Sequence, residues 1–510
     1  MADRAGGHHL ATLAERSLER HGDYESLFFE GTWHSSGVLA ERTQRLAAGL
    51  VELGVQPGDR VVVLMSNCAE VGVAYGAAWR AGAVLTPVMF LLTPQDLRHL
   101  LLDCEARAVI TTPDLAHGVR EACAEVETVE WLVTTGEPDE GELSLTELEQ
   151  AEPGSIVARD DADPAALMYT GGTTGRSKGV LLSHEMLWRA GEAGQASSYV
   201  PGVNRFLVTV PLSHAYGLLV TVAGLHAREP NVVALLRWFD PVSYLSLVAE
   251  HGLQASAVVP SMIQALLACP LEELDLSSLR QLVCGAAPLA PDVMRALRER
   301  LPNVELREGY GLTECCALVS SNPPGHIRAG SVGRPVTGVE VRIVNDRDES
   351  LAAGEVGEIC ARSPFVMLGY WRDPQLSAQT TRGGWLHTGD LGYLDEDGYL
   401  FIVDRMKDLI IRGGFNVFPR DVEDALLEHP AIATAGVVGK PDEVHGEEIV
   451  AFVTLRPGHE VAERELEQYA KERLGGYKYP REIRVVPQVP LTPVGKVDRK
   501  ALRALANREE

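Results

Sequence analysis

The chain predicts a layered α/β fold: a large multi-layer N-terminal α/β domain with a β-rich subdomain, then a small α+β C-terminal domain. Three observations predict it. From residue 60 to about residue 300, strand-like apolar runs alternate with helix-period segments, as in helices packed on mainly parallel sheets. After about residue 330 the texture changes to short strands joined by turns. Beyond the charged run Asp404-Arg405-Met406-Lys407-Asp408, the remaining stretch has helices and strands of its own. The boundaries read as 1–404 for the large domain, 405–408 for a hinge and 409–510 for the small domain.

Each element has a local reason. Leu10, Leu13 and Leu18, then Leu39, Leu46 and Leu50, recur at helical intervals. Residues 60–65 read as a buried strand, 69–81 as a helix rich in small residues closed by Gly82, and 83–85 as the next strand. The βα pattern repeats through strand 106–111, helix 115–124 and strand 129–133. It resumes with helices 184–196, 216–226, 241–251, 262–267 and 291–300, interleaved with strands 206–210, 232–236, 255–259 and 279–284. Segments 339–344, 357–361 and 398–403 are the short strands of the β-rich part, with a hairpin-type turn at Asp395–Gly398. The last unit shows helices 419–428 and 462–474 and strands 433–439, 448–455 and 483–486.

The formal net charge of −25 argues against nucleic acid and anionic membrane as partners, since both need cationic surface. A local anion site needs only a few cations, and the balance does not oppose one. Eight cysteines show no CxxC spacing and no metal-type Cys/His cluster, and the neighbours Cys315 and Cys316 are poorly placed for an ordinary disulfide. Reduced thiols in a cytoplasmic protein are expected. Residues 1–10 lack the apolar region of a signal peptide, and no run of 18 uncharged apolar residues offers a membrane span. The assembly is undetermined, a homodimer being one open reading.

The chain is organised around Met168-Tyr-Thr-Gly-Gly-Thr-Thr-Gly-Arg-Ser-Lys-Gly-Val180. Apolar runs lead in and out. Between them glycines let backbone N–H groups converge on an anion, hydroxyls add donors, and Lys178 adds a point charge. These are the needs of a polyphosphate loop; the bland alternative is a surface hairpin. The Walker spacing is absent, because Arg176 and Ser177 separate Gly175 from Lys178, and no GxGxxG opens a helix after a strand.

Further candidates follow in order. Pro211–Gly217 places His214 just past a strand. Cys284-Gly285-Ala286-Ala287-Pro288 ends another, with small residues that a flat ring can approach. In Glu308-Gly-Tyr-Gly-Leu-Thr-Glu314, glycines 309 and 311 leave the face of Tyr310 accessible, and Thr313 and Glu314 offer oxygen ligands suited to Mg²⁺. Trp385–Gly392 carries Asp390 in what reads as a Gly-flanked loop, with His387 structural by default. Gly413 and Gly414 follow the charged hinge, and Lys496 follows Pro493 and Gly495 near the C-terminus.

These elements, in this order and over nearly the whole chain, resemble the adenylate-forming superfamily of acyl-CoA synthetases, peptide-synthetase adenylation domains and beetle luciferases. The family's loop usually reads Tyr-Thr-Ser-Gly-Thr-Thr-Gly-x-Pro-Lys-Gly; Gly171 stands where serine is common and Ser177 where proline is. The resemblance implies that Thr170, Gly171, Gly172, Thr173, Thr174, Gly175 and Lys178 hold the ATP phosphates. It implies that Gly285, Ala286 and Ala287 lie against adenine, that Tyr310 stacks on it with Gly311 beside it in the nucleotide site, and that Thr313 contacts the α-phosphate. Glu314 would hold the metal, and Asp390 and Arg405 the ribose. His214 would abut the acyl carboxylate, Lys407 would be the pivot, and Gly413 and Gly414 would wall a path for the CoA arm. Lys496 would stabilise charge as the mixed anhydride forms. The small domain becomes, by the same implication, a mobile lid.

The expected activity is ATP-dependent acyl-CoA ligation of an apolar monocarboxylic acid through an acyl-adenylate, with ATP, Mg²⁺ and coenzyme A. The departures at Gly171 and Ser177 keep open an enzyme of one half-reaction or one that transfers to a carrier protein. Binding without turnover is opposed by Lys496 and Glu314. Oxygenase chemistry of the luciferase kind stays open on motif alone. For the acyl pocket, Ala215, Leu218, Leu219, Val220, Ala286 and Leu289 are the apolar residues near His214 and Gly285, with no second cation for a distal carboxylate.

Overall fold

The structure is a computed structural model that describes residues 7–170, 177–492 and 496–508. Among the described residues the strands form four sheets, of nine, eight, four and five strands. The two largest make the body. In one, Arg60–Leu64 pairs in parallel with Val84–Pro87 and Ala106–Thr111; in the other, Arg205–Val208, Ala255–Val258, Gln281–Cys284 and Glu305–Tyr310 run parallel in sequence order. Their strands are continuous apolar runs because both faces are covered.

Helix Ala69–Arg80 ties the two sheets together. Its small residues let it be buried nearly all round, and its aromatic pair finds polar partners at either end. Trp79 Nε1 donates to the carbonyl of Ala165 at 3.1 Å, on a strand of the eight-stranded sheet, and the Tyr75 hydroxyl donates to the carbonyl of Leu212 at 3.1 Å, beyond a strand of the nine-stranded one. The carboxyl ends of both sets of strands therefore face a shared cleft, where open α/β sheets bind ligands.

The β-rich part is an antiparallel sheet of Glu340–Val344, Gly357–Arg362, Leu386–Leu394 and Leu400–Arg405. The turn at Asp395–Gly398 joins its last two strands as a hairpin. Trp385–Gly392, read as a loop, is instead mostly strand; its glycines look like turn formers in sequence, but their neighbours pair with Gly357–Arg362.

The five-stranded sheet lies wholly between Ile410 and Val485 and is covered on both faces. Along Gly446–Leu455, Ile449, Ala451 and Val453 pack with Val422, Leu426 and Leu466, whereas Val450 and Phe452 pack with Leu502 and Ala506. That alternation turns one strand into the floor of two small cores. Helix Arg499–Ala506, absent from the sequence reading, covers the second face, and its N-cap Asp498 accepts from Ala501 N.

Strand Ala106–Thr111 and helices Pro241–His251 and Pro291–Arg300 have the predicted bounds. Helix Pro94–Cys104 was not anticipated, although its start signal is present: Thr93 caps Asp96 N and Pro94 opens the first turn. Among the described residues no helix is long and apolar enough to cross a membrane, and all eight cysteines are free thiols.

Candidate active site

A cavity of about 1380 Å³ lies where the body, the β-rich sheet and the small five-stranded unit meet. Strand pairing places the mouth of the phosphate loop there. Thr170 ends Pro164–Thr170, Lys178 begins Lys178–Ser183, and the two are antiparallel partners lining the cavity. Gly171, Gly172, Thr173, Thr174 and Gly175 lie outside the described residues. Lys178 Nζ sits 5.5 Å from the ring centroid of Tyr370.

Glu305–Tyr310 carries two side chains to one face at a two-residue interval. Tyr310 donates its hydroxyl to Asp390 Oδ2 at 2.6 Å, and Arg405 Nε lies 3.1 Å from Asp390 Oδ1. Asp390 is thus gripped at both oxygens although only 5 % exposed. Gly285, Ala286 and Ala287 line the cavity across from Tyr310; Ala286 takes a positive φ of 69°. Gly311 is required by chain packing, since a Cβ there would stand 2.1 Å from the carbonyl oxygen of Ala317. Thr313 and Glu314 follow in a short 3₁₀ turn, and Glu314 Oε1 accepts from the Tyr370 hydroxyl at 2.7 Å. Its other oxygen has no hydrogen-bond partner among the described residues, so a hard oxygen donor suited to Mg²⁺ stands at the cavity wall.

His214 is the N-cap of helix Ala215–Leu225. Its Nδ1 accepts from Tyr216 N at 3.2 Å, which leaves Nε2 to carry the proton. Burial lowers its pKa to about 4, with the charge of Lys496 adding to the effect, so the ring is neutral. Lys496 comes from the far end of the sequence. The loop that carries it is fastened on both sides: Thr492 N donates to the Lys496 carbonyl at 2.6 Å, and Arg499 Nη1 reaches Glu423 Oε1 and the Val437 carbonyl, each at 2.6 Å. Burial lowers the Lys496 ammonium to about 8; Arg405 and Lys407 push the same way and Asp390 opposes them.

Lys178, Arg405, Lys407 and Lys496 therefore gather in one cavity of a chain with formal net charge −25. Lys407 is lowered by burial and by Arg405 and Lys178, while Asp408 and Asp390 oppose them. The residues fit a magnesium–nucleotide complex: an aromatic ring, a carboxylate, a hydroxyl, an oxygen donor of the kind Mg²⁺ takes and several cations all line the cavity.

Gly413 and Gly414 stand apart from this cavity, at the exposed tip between Ile410–Arg412 and Phe415–Val417, with φ of 58° and 80°. The structure corrects two residues of the expected acyl pocket. Leu218 and Leu289 belong to the apolar core, because the helical and turn geometry points them away from the cleft, whereas Ala215, Leu219, Val220 and Ala286 line it. A Cys/His grouping hidden by its spacing does exist: Asp348, Cys360 and His387 place ligand-type atoms within 4.8 Å of one another. Its charges are already matched, since Arg342 donates to Asp348 and Arg382 to Glu358. Glu358 also holds His387 Nδ1 at 2.8 Å and accepts from Gly389 N at 3.1 Å, which fixes the backbone next to Asp390.

Two residues were passed over. Tyr370 sits on a two-residue edge strand with no sequence signature. Glu308 precedes the Gly-Tyr-Gly turn, and its strand neighbour Tyr310 was the available signal. It lines the cavity at 9 % exposure, without a side-chain hydrogen bond among the described residues, and burial pushes its carboxyl up to about 7 against the pull of Arg420 and Arg298.

Comparison with known proteins bears on this geometry. Residues 14–371 match the family model described as AMP-binding enzyme, and residues 421–496 that of the AMP-binding enzyme C-terminal domain. The chain is 35 % identical over 477 residues to 4-coumarate–CoA ligase 1 of Solanum tuberosum, covering 91 % of this chain and 87 % of the relative. It is also 35 % identical over 517 residues to a medium/long-chain-fatty-acid–CoA ligase of Mycobacterium tuberculosis, covering 97 % and 90 %. Among solved structures, an anthranilate CoA ligase in complex with anthranoyl-AMP superposes with a TM-score of 0.90 at 28 % identity, covering 98 % of this chain and 97 % of the other.

Proposed function

The chain belongs to the adenylate-forming family of AMP-binding enzymes, acid–thiol ligases that work with ATP, Mg²⁺ and coenzyme A, and from that premise we propose that it activates an apolar monocarboxylic acid and passes the acyl group to CoA. The observation that carries the reading is the presence of Lys496, from the C-terminal end, in the cavity that Lys178, Tyr310, Asp390 and His214 line.

In the first half-reaction a carboxylate oxygen attacks the α-phosphorus of ATP and pyrophosphate leaves. Tyr310 offers a ring face to adenine, and Asp390 and Arg405 supply an acceptor and a donor to the ribose hydroxyls. Thr170, Thr313 and Lys178 hold phosphate oxygens. Glu314 would hold Mg²⁺, which when bound neutralises phosphate charge and orients the leaving group. Lys496 places its ammonium between the incoming carboxylate and the α-phosphate, where charge builds in the transition state. Neutral His214 offers Nε2–H to the same carboxylate without competing for a proton. Water is excluded because the small unit covers the cleft.

For the second half-reaction we place the moving parts at 1–404, 405–408 and 409–510. The small unit turns about Lys407, Lys496 withdraws, and the exposed Gly413–Gly414 tip comes round to wall the thiol path. CoA thiolate then attacks the acyl carbon and AMP leaves. A cytoplasmic setting suits eight free thiols.

The test incubates the protein with ATP, Mg²⁺, CoA and a mixed acid library, follows pyrophosphate, and identifies thioesters by mass spectrometry. Expected is a thioester of a monocarboxylic acid with an apolar body. Strong preference for a dicarboxylic acid, or no acid-dependent pyrophosphate at all, overturns the reading. Acyl-adenylate without CoA thioester moves the acceptor to a carrier-protein arm.

A further inference from the structure

The cavity does not stop at His214. One arm runs on between helix Ala215–Leu225 and the nine-stranded sheet. Its lining follows the periodicities of a real channel. On the helix, Tyr216, Val220 and Ala223 fall at i, i+4 and i+7, one stripe of one face. On the sheet, Phe206 and Val208, Ala255 and Ala257, and Gln281 and Val283 fall two residues apart on neighbouring strands, so these six side chains share a face, with the intervening Leu207 and Ser256 also bordering the cavity. Apolar groups thus oppose one another along the arm, and the strands are followed back from their carboxyl ends.

The arm is long, and its far end reaches residues that solvent also touches. From Tyr216 to Gly224 the helix rises ~12 Å, about the length of an extended ten-carbon chain. Its far end is walled by Gln195, Ser198 and Asn231, which are half-exposed and polar, with Gln281 buried behind them. Small residues keep the width: Gly194, Ala223 and Gly224 line the far half. Space beside Gly224 is free, since a Cβ built there meets nothing within 4 Å.

We propose that the acid taken by this protein is an extended medium-chain acyl acid that threads this channel from His214 to a second mouth between Gln195 and Asn231. The inference rests on the acid-activating reading above and specifies its substrate class. A channel with a wet far mouth carries two consequences. Each methylene up to about ten carbons gains about fourfold in kcat/KM, because it trades water for the apolar wall. Longer tails emerge into solvent, so the gain levels off without a sharp cut-off.

The experiment measures CoA-thioester formation from linear saturated acids of four to sixteen carbons, beside benzoate, with the wild-type protein and Gly224→Leu. Gly224 touches neither the nucleotide wall nor His214, and the leucine enters free space in the far half of the arm. Expected is a wild-type profile that rises to about ten carbons and then flattens. In Gly224→Leu the kcat/KM for decanoate falls tenfold or more, while that for butyrate and the KM for ATP stay put. Gly194→Leu, entering from the facing helix where its Cβ would stand 3.3 Å from Leu219 Cδ1 and push that side chain aside, gives the same pattern, and thermal melting checks that both variants fold. A profile favouring benzoate or butyrate, or one left unchanged by both variants, overturns the proposal while leaving acid activation standing. Calorimetric titration of decanoate into the protein with a non-hydrolysable ATP analogue reads the channel without turnover. Failure of pyrophosphate release with every acid would sink the acid-activating reading instead, and the calorimetry still decides the channel: decanoate binding lost in Gly224→Leu supports it, and no binding to the wild type rejects it.

Discussion

Tyr310 and Asp390 meet at 2.6 Å across two different sheets, one on a parallel strand of the body and the other on the antiparallel β-rich sheet. The bond fixes the long axis of the ring by anchoring its far tip, and it engages one carboxylate oxygen while Arg405 holds the other. The wall on which we propose that the nucleotide lies is therefore a joint between two layers rather than a property of either.

Tyr310→Phe keeps the ring face and removes the bond. A hydrogen bond to a charged group contributes about 1.5–3 kcal/mol, so the KM for ATP should rise about tenfold or more with the KM for acid little changed. Steady-state kinetics in both substrates check this. An unchanged KM for ATP would mean that the hydroxyl's bond to Asp390 does not shape the nucleotide site.

Lys496 separates the two half-reactions. Lys496→Ala should lower acid-dependent pyrophosphate release by a factor of about a hundred or more, the scale of losing a preorganised charge in a dry site. Thioester formation from a synthetic acyl-adenylate plus CoA should persist near the wild-type rate. The pH profile carries the same signature. With its ammonium lowered to about 8, the group is charged below that pH, and the first half-reaction declines as pH rises through it. A profile flat to pH 10 removes Lys496 from the chemistry.

Much of this was legible because its causes are local. Alternating apolar runs dictate the βα units, and Gly-Tyr-Gly or Pro-x-x-Gly-Lys spacing survives in the sequence whatever surrounds it. Asp390 was legible as a residue but not as part of a strand, because Gly389 and Gly392 imitate a turn and only pairing with Gly357–Arg362 overrides them. The closeness of Lys407 to Lys178 depends on how distant segments dock, as does the partnership of Tyr370 with Glu314. Gly413 and Gly414 show the opposite limit, since the role proposed for them needs a second arrangement of the small unit and they lie on the surface in this one.

Glu308 predicts a measurable stability effect. Its folded pKa of about 7 lies above the ordinary carboxylic value, so the folded protein binds this proton more tightly than the unfolded chain. Stability from this group is full below the unfolded pKa and is lost as pH rises through about 7, by an amount on the order of 3 kcal/mol. Glu308→Gln, close in shape and never charged, should be more stable than wild type at pH 8 and no more stable at pH 4. Chemical denaturation at the two pH values compares them, and equal differences at both would show that the carboxylate is not strained by burial.

His214 does two jobs that mutation can part. As N-cap it satisfies Tyr216 N, and as a neutral ring it presents Nε2–H to the cavity. His214→Ala should cost about 1 kcal/mol of stability through the lost cap and also raise the KM for acid. His214→Asn restores a capping oxygen, so its melting temperature should return toward wild type while the acid KM stays high, because the amide is too short to reach the same point. With its pKa lowered to about 4, wild-type His214 is already neutral at pH 5.5, and acid-dependent pyrophosphate release should show no inflection near 6.5 that His214→Asn removes. An inflection near 6.5 that disappears in His214→Asn would place a charged imidazole in the working enzyme and overturn this assignment.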